Sequence, residues 1–315
     1  MSQIQTTAGP LDVSELGPTL VHEHLLCAHE GLRFQWPHLV DAQAEMDAAL
    51  AQTEGAKAHG IKTICDPSCL DLNRDVRLNI AVTEKTGVPF VMATGIYGQH
   101  YTFIPHYFQT REPQALIDVF VHDIEVGIQG SGVKAHFLKC AADEPGLTAD
   151  VEKIHRAIAQ TSLQTGAPIM AHSHPASRTG LEQMRVFTEE GVDPAKVQIA
   201  HTGDTDDLGY IEELLGTGCT IGMDRYGLDI FLPTEQRNAT VVALCERGYA
   251  ERMVLSHDAC ATLEWFAPEA VAQMAPNWNF TFLFTTAIPQ LLELGVTQDQ
   301  IDAMLGANVH RWLAA

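Results

Sequence analysis

Pro18-Thr19-Leu20-Val21-His22-Glu23-His24 reads as a short apolar strand that runs into two histidines rather than into glycines. That ending separates two ways of winding an α/β chain. An open, doubly wound sheet normally carries a Gly-rich phosphate loop after its first strand, and this chain has His22-Glu23-His24 there instead. A barrel carries its reactive groups at the C-terminal ends of its strands. Histidines at i and i+2 on extended backbone point to one side, and neutral imidazole is the commonest protein ligand for divalent metals. With 15 histidines in the chain, the pair gains meaning only if further ligands recur at other strand ends.

Working outward, short apolar, β-branched runs alternate with amphipathic stretches. Strands are expected over residues 18–22, 61–65, 90–94, 133–139, 168–172, 197–201, 219–223 and 253–256. Helices are expected over 42–59, 75–86, 113–126, 150–165, 181–190, 207–216 and 235–247, then 278–294 and a closing helix near 298–305. Gly60, Gly87, Gly166, Gly191, Gly218 and Gly248 fall between a helix and the next strand, where a left-handed cap belongs. Eight strand–helix units predict an α/β fold, a (β/α)8 TIM barrel. No linker or shift of composition divides the chain, so residues 1–315 are read as one domain.

Composition is globular, 46% hydrophobic and 19% charged, with mean hydropathy near zero. The net charge of −21 argues against nucleic acid or an anionic membrane as partner, because both need a basic patch. It serves solubility, or a mild attraction of cations to a site mouth. No segment is apolar for the length of a membrane span. The start, Met1-Ser2-Gln3-Ile4-Gln5, lacks the basic and apolar regions of a signal peptide. Seven scattered cysteines fit reduced, buried thiols of a cytoplasmic protein, and Cys65-x3-Cys69 reads as structural.

Reading only the expected strand ends selects His22 and His24, Lys139, His172, His201 and Asp258. Four imidazoles and a carboxylate are too many for one tetrahedral zinc with an open position. They suit two neighbouring metals, and the donor set accepts zinc, iron, cobalt or manganese. Lys139 follows Phe137 and Leu138, which suggests burial. A buried lysine loses pKa and becomes neutral. As a free amine it can take up CO2 to become a carbamate that bridges two metals. Taken singly, each residue has a plainer reading: Lys139 a surface lysine, His172 or His201 a hydrogen-bonded core histidine, Asp258 a helix N-cap. His174 competes with His172 at the same strand end, and Lys134 lies at the other end of the Lys139 strand. Glu23 points away from the histidines, as a support.

At these residues the chain resembles the phosphotriesterase family of the amidohydrolase superfamily, most closely its phosphotriesterase-like lactonases. The resemblance runs through Val21-His22-Glu23-His24, Phe137-Leu138-Lys139, Ala171-His172-Ser173, the stretch from Ile199 to Asp206, and Ser256-His257-Asp258, and it spans nearly the whole chain. Gly95-Ile96-Tyr97 and the stretch from Gly222 to Asp229 match the lactonase branch. Residues 29–38 match nothing and are given no role.

The resemblance implies a binuclear site at the C-terminal face of the barrel. His22, His24 and Asp258 would bind the more buried of two divalent metals, and His172 and His201 the more exposed one. Lys139, carboxylated on its amine, and a hydroxide would bridge them. It further implies that Asp258 moves the proton, that Tyr97 hydrogen-bonds the substrate and that Arg225 stands at the mouth. Tyr97 as a packing aromatic, and Arg225 as a staple to Asp224 or Asp229, are the alternatives. Leu263, Trp265 and Phe266 fall in the family's substrate-covering loop, to line an acyl pocket or to pack on the last helix. The implied reaction is ring opening of N-acyl-homoserine lactones (quorum quenching) with phosphotriester hydrolysis as a side activity, in a homodimer. An organophosphate triesterase and a non-catalytic metal-binding barrel are the competing functions.

Overall fold

The protein, seen in a computed structural model that describes residues 3–99 and 102–315, is a (β/α)8 barrel. Met1 and Ser2, part of the N-terminal stretch read above, lie outside the described residues. The strands are β1 (Thr19–Leu20), β2 (Thr63–Asp66), β3 (Phe90–Gly95), β4 (Phe137–Ala142), β5 (Ile169–Ser173), β6 (Val197–Ala200), β7 (Thr220–Met223) and β8 (Met253–Leu255). They pair in chain order, all parallel. Between them run α1 (Ala42–Ala58), α2 (Val76–Thr86), α3 (Gln114–Glu125), α4 (Ala149–Thr165), α5 (Thr179–Glu190), α6 (Leu208–Gly216) and α7 (Thr234–Glu246). All six expected glycine caps have positive φ, from 72° to 102°.

Alternation along the strands sorts side chains into two cores. Ile64, Phe90, Met92, Leu138, Cys140, Ile169, Ala171, Ile199 and Ile221 face the helices. Cys65, Val91, Ala93, Phe137, Met170, Ala200 and Val254 face the barrel axis. Two residues further along the same faces, Phe137 gives way to Lys139 and Met170 to His172. The period of two thus places apolar groups in the lower barrel and polar groups above them.

Three features depart from the sequence reading. β4 begins at Phe137, so Lys134 precedes the strand and Lys139 is its third residue, inside the barrel rather than at its end. The expected helix over 278–294 begins only at Leu283, with a π-helical turn to Ala287 followed by Ile288–Glu293. After the closing helix Gln298–Leu305 comes a helix that was not expected, Ala307–Leu313. It packs with Ile4 and Leu16 against the axis-facing core. Its Trp312 lies edge-on to Phe137 at 5.4 Å and donates its indole N–H to the carbonyls of Ile169 and Lys196.

Closure of the ring is unusual in its placement. Among the described residues β1 and β8 share no ladder. The chain beyond each of them makes the seam instead, Glu23–Cys27 running parallel to Ala259–Leu263, with Ala259 opposite Glu23 and Cys260 opposite His24. Among the described residues no helix is long and apolar enough to cross a membrane. All seven cysteines are free.

Trp312 is 1% exposed. Its replacement by alanine empties the floor of the barrel and should cost about 3–5 kcal/mol. Chemical denaturation checks this: a midpoint unchanged from the parent protein would show that the terminal helix does not support the barrel.

Candidate metal centre

All six predicted ligand side chains converge on the axis above the inner core. His22 Nε2 and His24 Nε2 approach one oxygen of Asp258, Oδ1, at 3.0 and 3.2 Å. Lys139 Nζ lies 3.3 Å from His22 Nε2. His201 Nε2 is 3.7 Å from the other Asp258 oxygen, and its ring packs edge-on to His172 with centroids 4.4 Å apart. His22, His24 and Asp258 bring their donor atoms close enough to share one cation. His201 Nε2 is buried and has no hydrogen-bond partner. An orphaned imidazole nitrogen aimed at a carboxylate among other imidazoles is costly by itself and fits a metal. The residues present therefore suit divalent cations.

Each imidazole is held from behind, the arrangement that orients metal ligands and fixes their tautomers. Asp224, fully buried, reaches His22 Nδ1 through Oδ2 at 2.8 Å. Its Oδ1 takes the backbone N–H of His201 at 2.7 Å and faces His201 Nδ1 at 3.2 Å. Burial opposes its charge, yet the His201 and His22 rings hold its carboxyl well below the usual range. His24 Nδ1 is 2.8 Å from Ser68 Oγ, and Ser68 is itself fixed by its N–H to Asp66 Oδ1 at 2.9 Å. His172 Nε2 meets Asp143 Oδ2 at 3.1 Å, which leaves its other nitrogen for a ligand. Burial pushes the His172 pKa down to about 4, so the ring is neutral.

Lys139 is 1% exposed, and burial lowers its pKa despite nearby Asp258 and Asp224. Such a shift favours the free amine over the ammonium. Its backbone is pinned by a contact only glycine allows: a Cβ on Gly95, at φ +150°, would stand 1.8 Å from the Lys139 carbonyl oxygen. Two of the expected ligands also sit in strained backbone, His201 at φ +62° and Asp258 at φ +52°. Non-glycine residues in this region cost roughly 1–3 kcal/mol each, and such strain gathers at functional sites.

Tyr97 and Arg225 both reach this centre. The Tyr97 hydroxyl is 3.1 Å from His172 Nε2 and donates to Asp143 Oδ2 at 3.1 Å. Burial, then Asp143, raises its pKa well above the ordinary phenol value, so it stays a donor. Arg225 pairs with neither Asp224 nor Asp229. Its Nε donates to Asp258 Oδ2 and its Nη1 to Asp204 Oδ2, each at 2.8 Å, while its guanidinium lies over Phe231. Asp258 is thus gripped by a clamp and is no helix cap. His174 turns instead to Ser177 Oγ at 2.8 Å. Above the centre opens a cavity of about 540 Å³ lined by Leu263, Trp265, Phe266, Ile230, Phe231 and Met274 among others.

The supporting carboxylates Asp224, Asp143, Asp66 and Asp204 were missed in the sequence. Asp224 directly follows β7, Asp143 directly follows β4 and Asp66 ends β2, so three of them stand at strand ends, and Asp204 does not. Asp224→Asn keeps the volume but offers one acceptor oxygen to two histidines. It should weaken metal retention about 10- to 100-fold in a barrel that stays folded by circular dichroism. Metal content after a chelator challenge reads this out, and parental retention would remove Asp224 from the centre.

With the geometry in hand, similarity to known proteins is informative. The model of the Phosphotriesterase family matches residues 2–313. The chain is 43% identical to an aryldialkylphosphatase of Saccharolobus solfataricus over 96% of its own length and 97% of that protein. It is 41% identical to a phosphotriesterase homology protein of Mycobacterium tuberculosis, over 99% and 97% of the two chains. A solved structure described as the phosphotriesterase from Mycobacterium tuberculosis superposes with a TM-score of 0.94 at 41% identity, covering 99% of this chain and 98% of that one. Barrel, centre and these likenesses agree: the chain belongs to the phosphotriesterase family of hydrolases.

Proposed function

We propose that this hydrolase opens the ring of lipophilic lactones of the N-acyl-homoserine type and hydrolyses phosphotriesters more slowly. The observation that carries the reading is the two-part cavity. Its floor is polar, with Tyr97, Arg225 and Asp258, and its sleeve is apolar, from Leu263, Trp265 and Phe266 to Ile230, Phe231 and Met274. An amphiphile with a small polar ring and a hydrocarbon tail fits both parts.

His22, His24 and Asp258 would hold one divalent metal, His172 and His201 a second, and Lys139 as its carbamate would bridge them. Such ions, when bound, supply a hydroxide near neutral pH and polarise the substrate oxygen. The protein's own groups do the rest. Tyr97, kept a phenol by burial, would turn its one proton from Asp143 to donate a hydrogen bond to the lactone. Asp258 accepts the proton of the attacking water and returns it to the departing alkoxide. Arg225 fixes the orientation of Asp258 through Oδ2, leaving Oδ1 toward His22 and His24. The sleeve excludes water from the tail. The likeness to an aryldialkylphosphatase supports the second reading, a phosphotriesterase proper.

Two measurements separate these readings. The ratio of kcat/KM on decanoyl-homoserine lactone to that on paraoxon should exceed about tenfold, or 1.4 kcal/mol in transition-state binding; a ratio inverted by as much assigns the phosphotriester as main substrate. Lys139→Ala should drop metal content from about two per chain and abolish turnover, with partial recovery in added short carboxylic acids. Undiminished metal and activity in that variant would sink the bridged centre, and a barrel inert to both substrates would leave only metal binding.

A further inference from the structure

The wall of the sleeve is tied to the outside of the barrel through one guanidinium. Arg33 stands on the short helix Glu30–Gln35, in the segment 29–38 that the sequence left without a role. Its two terminal nitrogens hold Glu45 of α1 as a fork, 2.7 Å to Oε1 and 2.9 Å to Oε2. Nη1 also bonds Glu264 in the loop after β8. The three side chains are only 13%, 10% and 24% exposed. That separates them from solvated surface pairs, which contribute little. Glu264 lies between Leu263 and Trp265, two residues of the sleeve, and its N–H donates to the Cys27 carbonyl at 2.9 Å. Trp265 lies against His29, ring centroids 6.0 Å apart, at the start of the same short helix.

We propose that Arg33 is a positioning residue for substrate selection, holding Glu264 to Glu45 and thereby setting the height of the Leu263–Trp265–Phe266 wall over the substrate's tail. This rests on the two-part cavity reading of the substrate. Glu45 belongs to a 17-residue helix packed on the barrel, so it is the fixed end. The Glu264 loop, held to Glu23–Cys27 by a single edge, is the movable end. Without the guanidinium, two poorly solvated carboxylates face each other, and like charges there repel strongly. The loop relieves the repulsion by swinging outward, which widens the sleeve and leaves the ligands of the metal centre in place. The fork matters as well as the charge, because a planar guanidinium serves Glu45 with two bonds and Glu264 with a third.

The test uses the metal-loaded enzyme and four variants: Arg33→Gln, Arg33→Lys, Glu264→Gln and the pair Arg33→Gln with Glu264→Gln. Arg33→Gln should raise KM for decanoyl-homoserine lactone about tenfold while kcat on the butyryl lactone stays within about twofold. Hydrogen exchange of residues 259–266 should quicken, with β4 and β5 unchanged. Adding Glu264→Gln removes the facing charge and should recover most of both effects. Arg33→Lys should fall between, and Glu264→Gln, which leaves the Arg33–Glu45 fork intact and creates no facing charge, should stay close to the parent in both readouts. Parental exchange in 259–266 together with an unchanged long-to-short ratio in Arg33→Gln overturns the proposal, as does a pair no better than the single variant. If the enzyme opens no lactone, the substrate reading fails, and the exchange comparison still decides the role of Arg33.

Discussion

One buried carboxylate ties the barrel's two ends together. Glu23 is 1% exposed and spends both oxygens on the strand that closes the ring. Oε1 accepts from Ser256 Oγ at 2.8 Å, the His257 N–H at 2.9 Å and His257 Nδ1 at 2.6 Å, and Oε2 takes the Ala259 N–H at 3.0 Å. Ser256 Oγ in turn receives the His22 N–H at 2.9 Å, and the Asp258 N–H reaches the His22 carbonyl at 2.9 Å. A bare carboxylate at this depth would be intolerable, and four hydrogen bonds satisfy its oxygens. The seam that makes the sheet a barrel is therefore the same object that sets His22, His24 and Asp258 face to face. At the Ser256–Ala259 end of the seam, neither the fold nor the centre can be loosened alone.

That coupling explains how the chain tolerates so much polarity on its axis. Asp224, Asp258, four histidines and Lys139 share one water-poor volume, and paired ions inside a protein recover their desolvation only when every partner is satisfied. Asp224 meets the Nδ1 atoms of two rings, Arg225 covers half of Asp258, and Arg237 satisfies the outer oxygen of Asp204 at 2.9 Å. His201 Nε2 remains without a bond. That nitrogen lies 3.7 Å from Asp258 Oδ2, where a cation would complete its bonding.

The legible part of this design was the part with a period or a rare residue type. Alternating strands, glycine caps and histidines at strand ends are local patterns, and each came out within a few residues of its place. The side that Glu23 faces follows from the strand period alone. Carboxylates carry a weaker signal: 40 acidic residues are spread through the chain, and three-dimensional proximity is needed to single out Asp143 or Asp204. Lys139 was assigned to the right strand but to its end, because apolar Val133 and Ala135 extend the pattern backward over a segment that is not paired. The helix Ala307–Leu313 was missed because Gly306 breaks the amphipathic run after Leu305, and its burial depends on the open floor of a barrel, which no local pattern describes.

Floor and rim also answer different questions. The proposed centre would serve a tetrahedral carbon and a pentacoordinate phosphorus alike, since both build negative charge on one oxygen. Discrimination must then come from where the remainder of the molecule goes. In the reading proposed above, a lactone would keep its leaving alkoxide tethered and send a single chain up the sleeve, whereas an aryl triester would have to release its aryl group past the same walls. The walls are loops after β7 and β8, and their positions depend on contacts outside the barrel, such as Arg33 with Glu45, rather than on the strands that carry the ligands. Substitutions far from the centre can therefore shift substrate preference by changes in KM while the ligand geometry, fixed through Glu23 and Asp224, stays constant.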